Sequence, residues 1–260
     1  MRTLGWTTVL VVSLWGVLFA WQVGFRVPDE YDDDAPIPPG ANEKTEWAFA
    51  RLKYPSIFRG RWGSWTTDYP KADRQFVQGV RRLTRIHACS AERVIDLSTD
   101  EIFYWPWVYA VEVGHWDLTD AQARRLREYL LRGGFLMVDD FHGTWEWSVF
   151  MGSMSRVFPD RPVVDIDNKD AIFHVLYDLD ERFQVPGIQF LRSGRTYERD
   201  GIEAKWRAIY DDKGRVMVAI CHNMDLGDAW EWADYPRYPE RWASLAYRIG
   251  INYIIYAMTH

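Results

Sequence analysis

Apolar positions recur at two distinct periods along this chain, and their alternation lays out a succession of strands and helices. The clearest unit spans residues 119–147. Thr119 and Gln122 have the spacing of a capping box, in which side chain and backbone satisfy each other's donors at a helix start. Ala123, Leu126 and Leu130 follow at helical spacing, while Arg124, Arg125, Arg127 and Glu128 point largely elsewhere. Gly133 ends the helix, because glycine takes a left-handed conformation without steric cost. Phe135, Leu136, Met137 and Val138 then form an unbroken apolar run, as expected of a strand covered on both faces in a parallel sheet. It breaks abruptly into Asp139, Asp140, Phe141, His142 and Gly143. Open α/β folds bind ligands where such strands leave the sheet.

The rest of the chain repeats this alternation. Residues 49–54 read as a first strand, and residues 72–84 as a helix with Phe76, Val80 and Leu83 on one face. Residues 93–97 form a short strand; residues 107–114 form another that delivers Glu112 and His115. Helices are expected over residues 145–157 and 170–179, the second burying Ile172, Val175, Leu176 and Leu179. Residues 206–210 and 215–221 flank Asp211, Asp212, Lys213 and Gly214 as a hairpin, and its second strand releases His222, Asn223, Asp225 and Asp228. Pro239 suits the start of a last helix, with Trp242, Leu245, Ala246, Ile249 and Tyr253 facing inward. Strands alternating with helices imply right-handed crossovers, a mostly parallel sheet and a three-layer α/β domain.

The N-terminus departs from this pattern. Between Arg2 and Arg26 the only strongly polar residue is Gln22, so residues 1–26 read as a transmembrane anchor, with a cleavable signal peptide as the rival. Arg2 as the sole early cation and the acidic flank from Asp29 to Asp34 place the body outside the cytoplasm, in the periplasm. Residues 27–45, acidic and proline-rich, read as an extended tether, which leaves residues 46–260 as the domain.

Composition narrows the chemistry. A net charge of −6 argues against a nucleic-acid backbone as the main partner, and neither zinc-finger spacing nor a phosphate-binding glycine loop is present. The two cysteines, Cys89 and Cys221, leave a disulfide open if the domain is exported, and Cys221 reads as a buried small hydrophobe closing an apolar run. Three clusters of acids and imidazoles leave three strands: Glu112 with His115; Asp139, Asp140 and His142; and His222, Asp225 and Asp228. If the strands are neighbours, the clusters share one crevice. Carboxylates and imidazoles together suit zinc or another divalent transition metal, which can generate hydroxide near neutral pH and for which Asp140, His142 and His222 are the candidates; alternatively an Asp–His pair suits a general base. Each acid has a plainer role as a helix cap or turn acceptor. Trp62, Trp65, Trp145, Trp147, Trp230 and Trp232 fall on one expected rim, either as a roof for the core or as stacking faces for sugar rings. Arg59, Arg61 and Arg74 with Asp68 and Asp73 are expected either to pin the first loop by ion pairs or to offer cations to an anionic ligand.

Three runs, residues 59–86, 109–147 and 220–234, resemble a bacterial family known as domain of unknown function 4159, a likeness covering residues 46–258. The resemblance implies a flavodoxin-like sheet in the class I glutamine amidotransferase-like superfamily, near trehalose-utilisation-protein-like members. It also implies company with envelope proteins that carry von Willebrand A domains and with MoxR-type ATPases. The Gly-x-Cys-x-Gly turn that bears that superfamily's nucleophile is missing, and the comparable turn reads Asp139-Asp140-Phe141-His142-Gly143. The expectation is a membrane-tethered periplasmic body that binds an envelope glycan or protein partner without thiol catalysis. The alternatives are a metal-assisted hydrolase of a glycan or amide, and a structural scaffold. Ligand-contact candidates are Glu112, His115, Asp139, Asp140, His142, Trp145, His222, Asp225, Asp228 and Trp230.

Overall fold

The structure is a computed structural model that describes residues 36–57 and 64–260. The expected membrane segment and the positions of Arg59, Arg61 and Trp62 lie outside the described residues. Strands β1 (Ala50–Lys53), β2 (Arg93–Asp96), β3 (Trp107–Val111), β4 (Phe135–Asp139), β5 (Val164–Asp165), β6 (Lys205–Tyr210) and β7 (Val216–His222) form one sheet in the order β2-β1-β3-β4-β7-β6-β5. The first five strands in that order are mutually parallel; β6 and β5 are added antiparallel at one edge. Because β3, β4 and β7 are parallel neighbours, their C-terminal ends emerge side by side. Val111 pairs with Asp139, and Val138 with Ile220.

Alternation along the strands sends residues to two faces. On one, Val108, Ala110, Leu136, Val138, Val218 and Ile220 pack with Leu126 and Leu130 of α2 (Asp120–Leu131) and Phe150 and Met154 of α3 (Gly143–Val157). On the other, Trp107 and Tyr109 meet Phe49, Phe76 of α1 (Lys71–Leu83) and Trp230 of α5 (Leu226–Glu231). The Phe76 and Trp230 rings are 4.3 Å apart, and Tyr253 of α6 (Glu240–Thr259) lies 5.9 Å from Phe135. Burying each such side chain contributes about 1.5–3 kcal/mol. The result is a mostly parallel sheet flanked by helices.

Local signals held where they rested on backbone chemistry. Thr119 and Gln122 form both halves of the capping box, and Gly133 stops α2 at φ +107°. All five residues expected inward on α6 are buried. Other expectations need correction. Leu83 sits 54% exposed at the end of α1, whose buried stripe is Ala72, Asp73, Phe76, Val77 and Val80. The helix expected over residues 170–179 is only a single 3-10 turn, Ala171–Phe173, capped by Asp170 on the Ile172 amide, with Leu176 turned outward. The strand expected to reach Gly114 ends at Val111, because Glu112 takes a left-handed conformation at φ +53°. Both cysteines are free and buried. No helix among the described residues is long and apolar enough to cross a membrane.

Residues 36–41, at the end of the expected tether, lie against the body. Arg74 donates to the Pro36 carbonyl, Ser90 to that of Pro39, and Arg93 to that of Ala41. The first loop is pinned by a cation the sequence did not single out. Buried Arg51 pairs with Asp73 and donates to the carbonyls of Trp65 and Thr67, while Arg74 pairs with Glu92 instead.

A carboxylate-lined crevice at three strand ends

Each of the three adjacent strands ends in a polar residue near a left-handed turn: Glu112 after β3 at φ +53°, Asp140 after β4 at +52°, and Asn223 after β7 at +66°. Asp68 and Arg199 are the other non-glycine residues with positive φ among the described ones, and they border the same crevice. Such conformations cost about 1–3 kcal/mol each and persist only where surrounding contacts impose them. The Tyr54 hydroxyl, 2.6 Å from the Val111 carbonyl and 2.9 Å from that of Glu112, fixes the first turn. The Asp140 amide donates to the Met224 carbonyl, and that of Asn223 to Phe141, so the second and third turns hold each other.

His115 lies between two carboxylates. Its Nδ1 is 2.8 Å from Glu112 and its Nε2 is 3.4 Å from Glu146, in the first turn of α3. Burial disfavours its charge, yet the hydrogen bond to Glu112 and both carboxylates outweigh it and hold the imidazole above its ordinary range. Glu146 also accepts from the His142 amide and pairs with Arg199 at 2.5 Å. A Cβ on Gly114 would lie 2.4 Å from that of Glu146, so glycine is required for the approach.

The middle of the crevice is anionic. One oxygen from each of Asp68, Asp140 and Asp225 lies within 4.8 Å of the others, and Asp68, Asp228 and Glu231 form a second such set. Burial, and then Glu112, Asp68, Glu198 and Asp139, push the Asp140 carboxyl well above its usual range; burial and Asp140 do the same to Asp225. Glu198 is raised to about 7 by burial and the neighbouring acids. His142 Nε2 lies 3.1 Å from Asp140, but burial depresses that imidazole to about 3, so it stays neutral beside the acid. Asp139 sits deeper. It accepts from the amides of Leu226 and Gly227 and from the Tyr109 hydroxyl, while burial lifts its carboxyl to about 7.

The sequence candidates thus divide. Glu112, His115, Asp140, His142, Asp225 and Asp228 converge. Asp225 also caps α5 through the Asp228 amide, and Asp228 accepts from the Ile188 amide and the Trp232 indole, the plainer role foreseen for both. His222 turns away from the acids. Its Nε2 meets the Gly143 carbonyl at 3.2 Å, its ring lies 4.8 Å from both Phe141 and Trp147, and burial lowers it to about 4. Asp140, His142 and His222 therefore do not gather as one donor set; the acid-rich groups do. Trp145, half exposed, lies 5.9 Å from the His115 ring at a tilt of 49°, but Trp230 and Trp232 are core residues, so the rim is narrower than expected. Sequence reasoning missed Glu146, Glu198, Arg199 and Asp200. Only Glu146 left a signal, four residues after His142 on one helical face.

The amides at the start of α3 are filled. Its amides donate to Glu146 (from His142), to Asn223 at 2.8 Å (from Gly143) and to Asp200 at 3.0 Å (from Thr144). Cys221 is buried within β7, and burial pushes its thiol well above the ordinary value. Fold and site define an α/β body with a buried cluster of acids at the C-terminal edge of its parallel strands. The chain belongs to the family described as Domain of unknown function (DUF4159), whose model matches residues 48–258. No curated protein matches it.

Proposed function

We propose that the chain is a membrane-tethered periplasmic body, of flavodoxin-like, amidotransferase-like architecture, that binds an envelope glycan or protein partner in this crevice without thiol catalysis. The observation that carries the reading is the turn between β4 and α3: Asp140 stands where a nucleophile would, and protein oxygens occupy the helix-start amides. The parallel order β2-β1-β3-β4-β7 supports the flavodoxin-like comparison, and the apolar stretch of residues 3–25 supports the anchor. Equilibrium binding of the soluble body, residues 36–260, to peptidoglycan, oligosaccharides and envelope extracts tests it. Saturable binding is expected, and none across all three sinks the reading.

A metal-assisted hydrolase is the second reading, favoured by the convergence of Asp68, Asp140 and Asp225. An all-oxygen set suits Mg²⁺, Mn²⁺ or Ca²⁺ rather than zinc. Elemental analysis of protein purified without chelator decides it: a stoichiometric hard cation lost in Asp140→Asn supports the enzyme, and its absence removes this reading.

A further inference from the structure

Between α4 (Phe190–Ser193) and β6, residues 194–203 lie against the acid and histidine cluster, and three consecutive side chains each engage a different part of it. Glu198 lies 3.9 Å from His142 Nε2. Arg199 pairs with Glu146 at 2.5 Å, its guanidinium 5.9 Å from the Trp145 ring. Asp200 accepts from the Thr144 amide at 3.0 Å and from its hydroxyl at 2.7 Å. Further polar ties run from Gln189 to Glu198, from Gln184 to the Gly201 carbonyl, from Thr196 to Gln184 and from the Asn223 amide group to the Glu203 carbonyl.

This segment is built to let go. Apart from Gly201 its residues are exposed or half-buried, and Ile202 points into solvent at 65% exposure. Segments held by exposed polar contacts, with few buried apolar side chains, open locally far below the global unfolding free energy. The central tie is asymmetric. The Arg199 side chain is 50% exposed, whereas the Glu146 carboxylate beneath it is 2% exposed. An exposed cation thus covers a buried anion, so that when Arg199 departs the Glu146 carboxylate calls for another cation in its place.

We propose that residues 194–203 are a releasable latch, and that a partner polypeptide opens the crevice by placing an arginine or lysine side chain where Arg199 sits on Glu146. This rests on the crevice being a binding site and narrows its occupant to a protein segment that presents an arginine or lysine side chain to Glu146. The latch tetrapeptide itself, Glu198-Arg199-Asp200-Gly201, supplies the probe.

Hydrogen exchange on the full chain, in wild type and Arg199→Gln, tests the proposal with acetyl-Glu-Arg-Asp-Gly-amide and the same peptide carrying uncharged citrulline in place of arginine. In Arg199→Gln the amides of residues 194–203 and of Thr144 are expected to exchange about three- to tenfold faster, with β4 and β7 unchanged. The arginine peptide, and not the citrulline one, is expected to accelerate the same amides in wild type. Latch amides that stay as slow as β4 in Arg199→Gln overturn the latch, and so does acceleration spread over the whole body. Equal effects of the two peptides, or none from either, overturn the cationic occupant. Release in Arg199→Gln is read without any ligand, so failure of the latch is distinct from failure of the crevice to bind envelope material.

Discussion

Arg51 is wholly buried under the first loop, where its guanidinium meets Asp73 and the carbonyl oxygens of Trp65 and Thr67. Replacing it by methionine keeps the bulk but strands the Asp73 charge and two carbonyls. Arg51→Met is expected to cost about 3–5 kcal/mol in denaturant unfolding, against about 1–3 kcal/mol for Arg74→Met, whose pair with Glu92 keeps some exposure on the arginine side. A second residue-scale expectation concerns pH. Burial raises the carboxyls of Asp139 and Glu198 to about 7, and those of Asp140 and Asp225 are raised as well. The folded state therefore holds these protons more tightly than the unfolded chain, whose acids titrate near about 4. Their contribution is present at low pH and is lost as pH rises from about 4 through 7. His142 and His222, lowered to about 3 and about 4, act oppositely, their contribution being lost as pH falls from about 6.5 toward those values. Asp140→Asn removes one acid from the crowded set. It is expected to gain about 1–3 kcal/mol at about pH 8 and nothing near about pH 4; thermal unfolding at the two pH values checks this. A loss at pH 8 would mean that Asp140 is held as a charge by something in the crevice. These residue types were legible at the strand ends, but their burial was not, since burial depends on which distant segments fold over them. Asp68 and Glu198, brought in from loops, illustrate this.

At the scale of elements, the helix starts decide what each segment does. Thr119 and Gln122 satisfy one another at the start of α2, and Thr119→Ala is expected to cost about 1 kcal/mol in chemical denaturation. The start of α3 has no N-cap side chain, and its amides are met by Glu146 of its own first turn, by Asn223 just after β7 and by Asp200 of the latch. Gly114→Ala drives a Cβ into Glu146, and a loss of about 1–3 kcal/mol is expected, with His115 released from its second carboxylate. An imidazole titration by NMR that stayed at the wild-type value would contradict that release. The α2–β4 unit was readable because capping, periodicity and a glycine stop all agree within one stretch. The 170–179 segment was not: its apolar spacing fits a helix, but Asp170 turns the chain after one turn and Asn252 takes the Tyr177 amide. Such long-range polar capture leaves no local pattern.

For the whole molecule, the alternation of strands and helices was enough to expect a mostly parallel sheet, because parallel crossovers follow from handedness and length. The neighbour relation of β3, β4 and β7 was a conditional expectation, and their pairing brings three charged strand ends to one edge. The tryptophan rim failed as a unit because chain order says nothing of depth: Trp230 and Trp232 face the core while Trp145 faces outward. The central claim is that this edge binds envelope material without a thiol. Its most direct test is equilibrium binding of envelope extract to the soluble body in three forms: wild type, the double variant Cys89→Ser/Cys221→Ser, and Glu146→Gln, each first shown to be folded. The account predicts unchanged affinity for the cysteine variant and at least about a tenfold loss for Glu146→Gln, the size expected for losing a buried charged contact. Loss of binding in the cysteine variant, with Glu146→Gln unaffected, would contradict it.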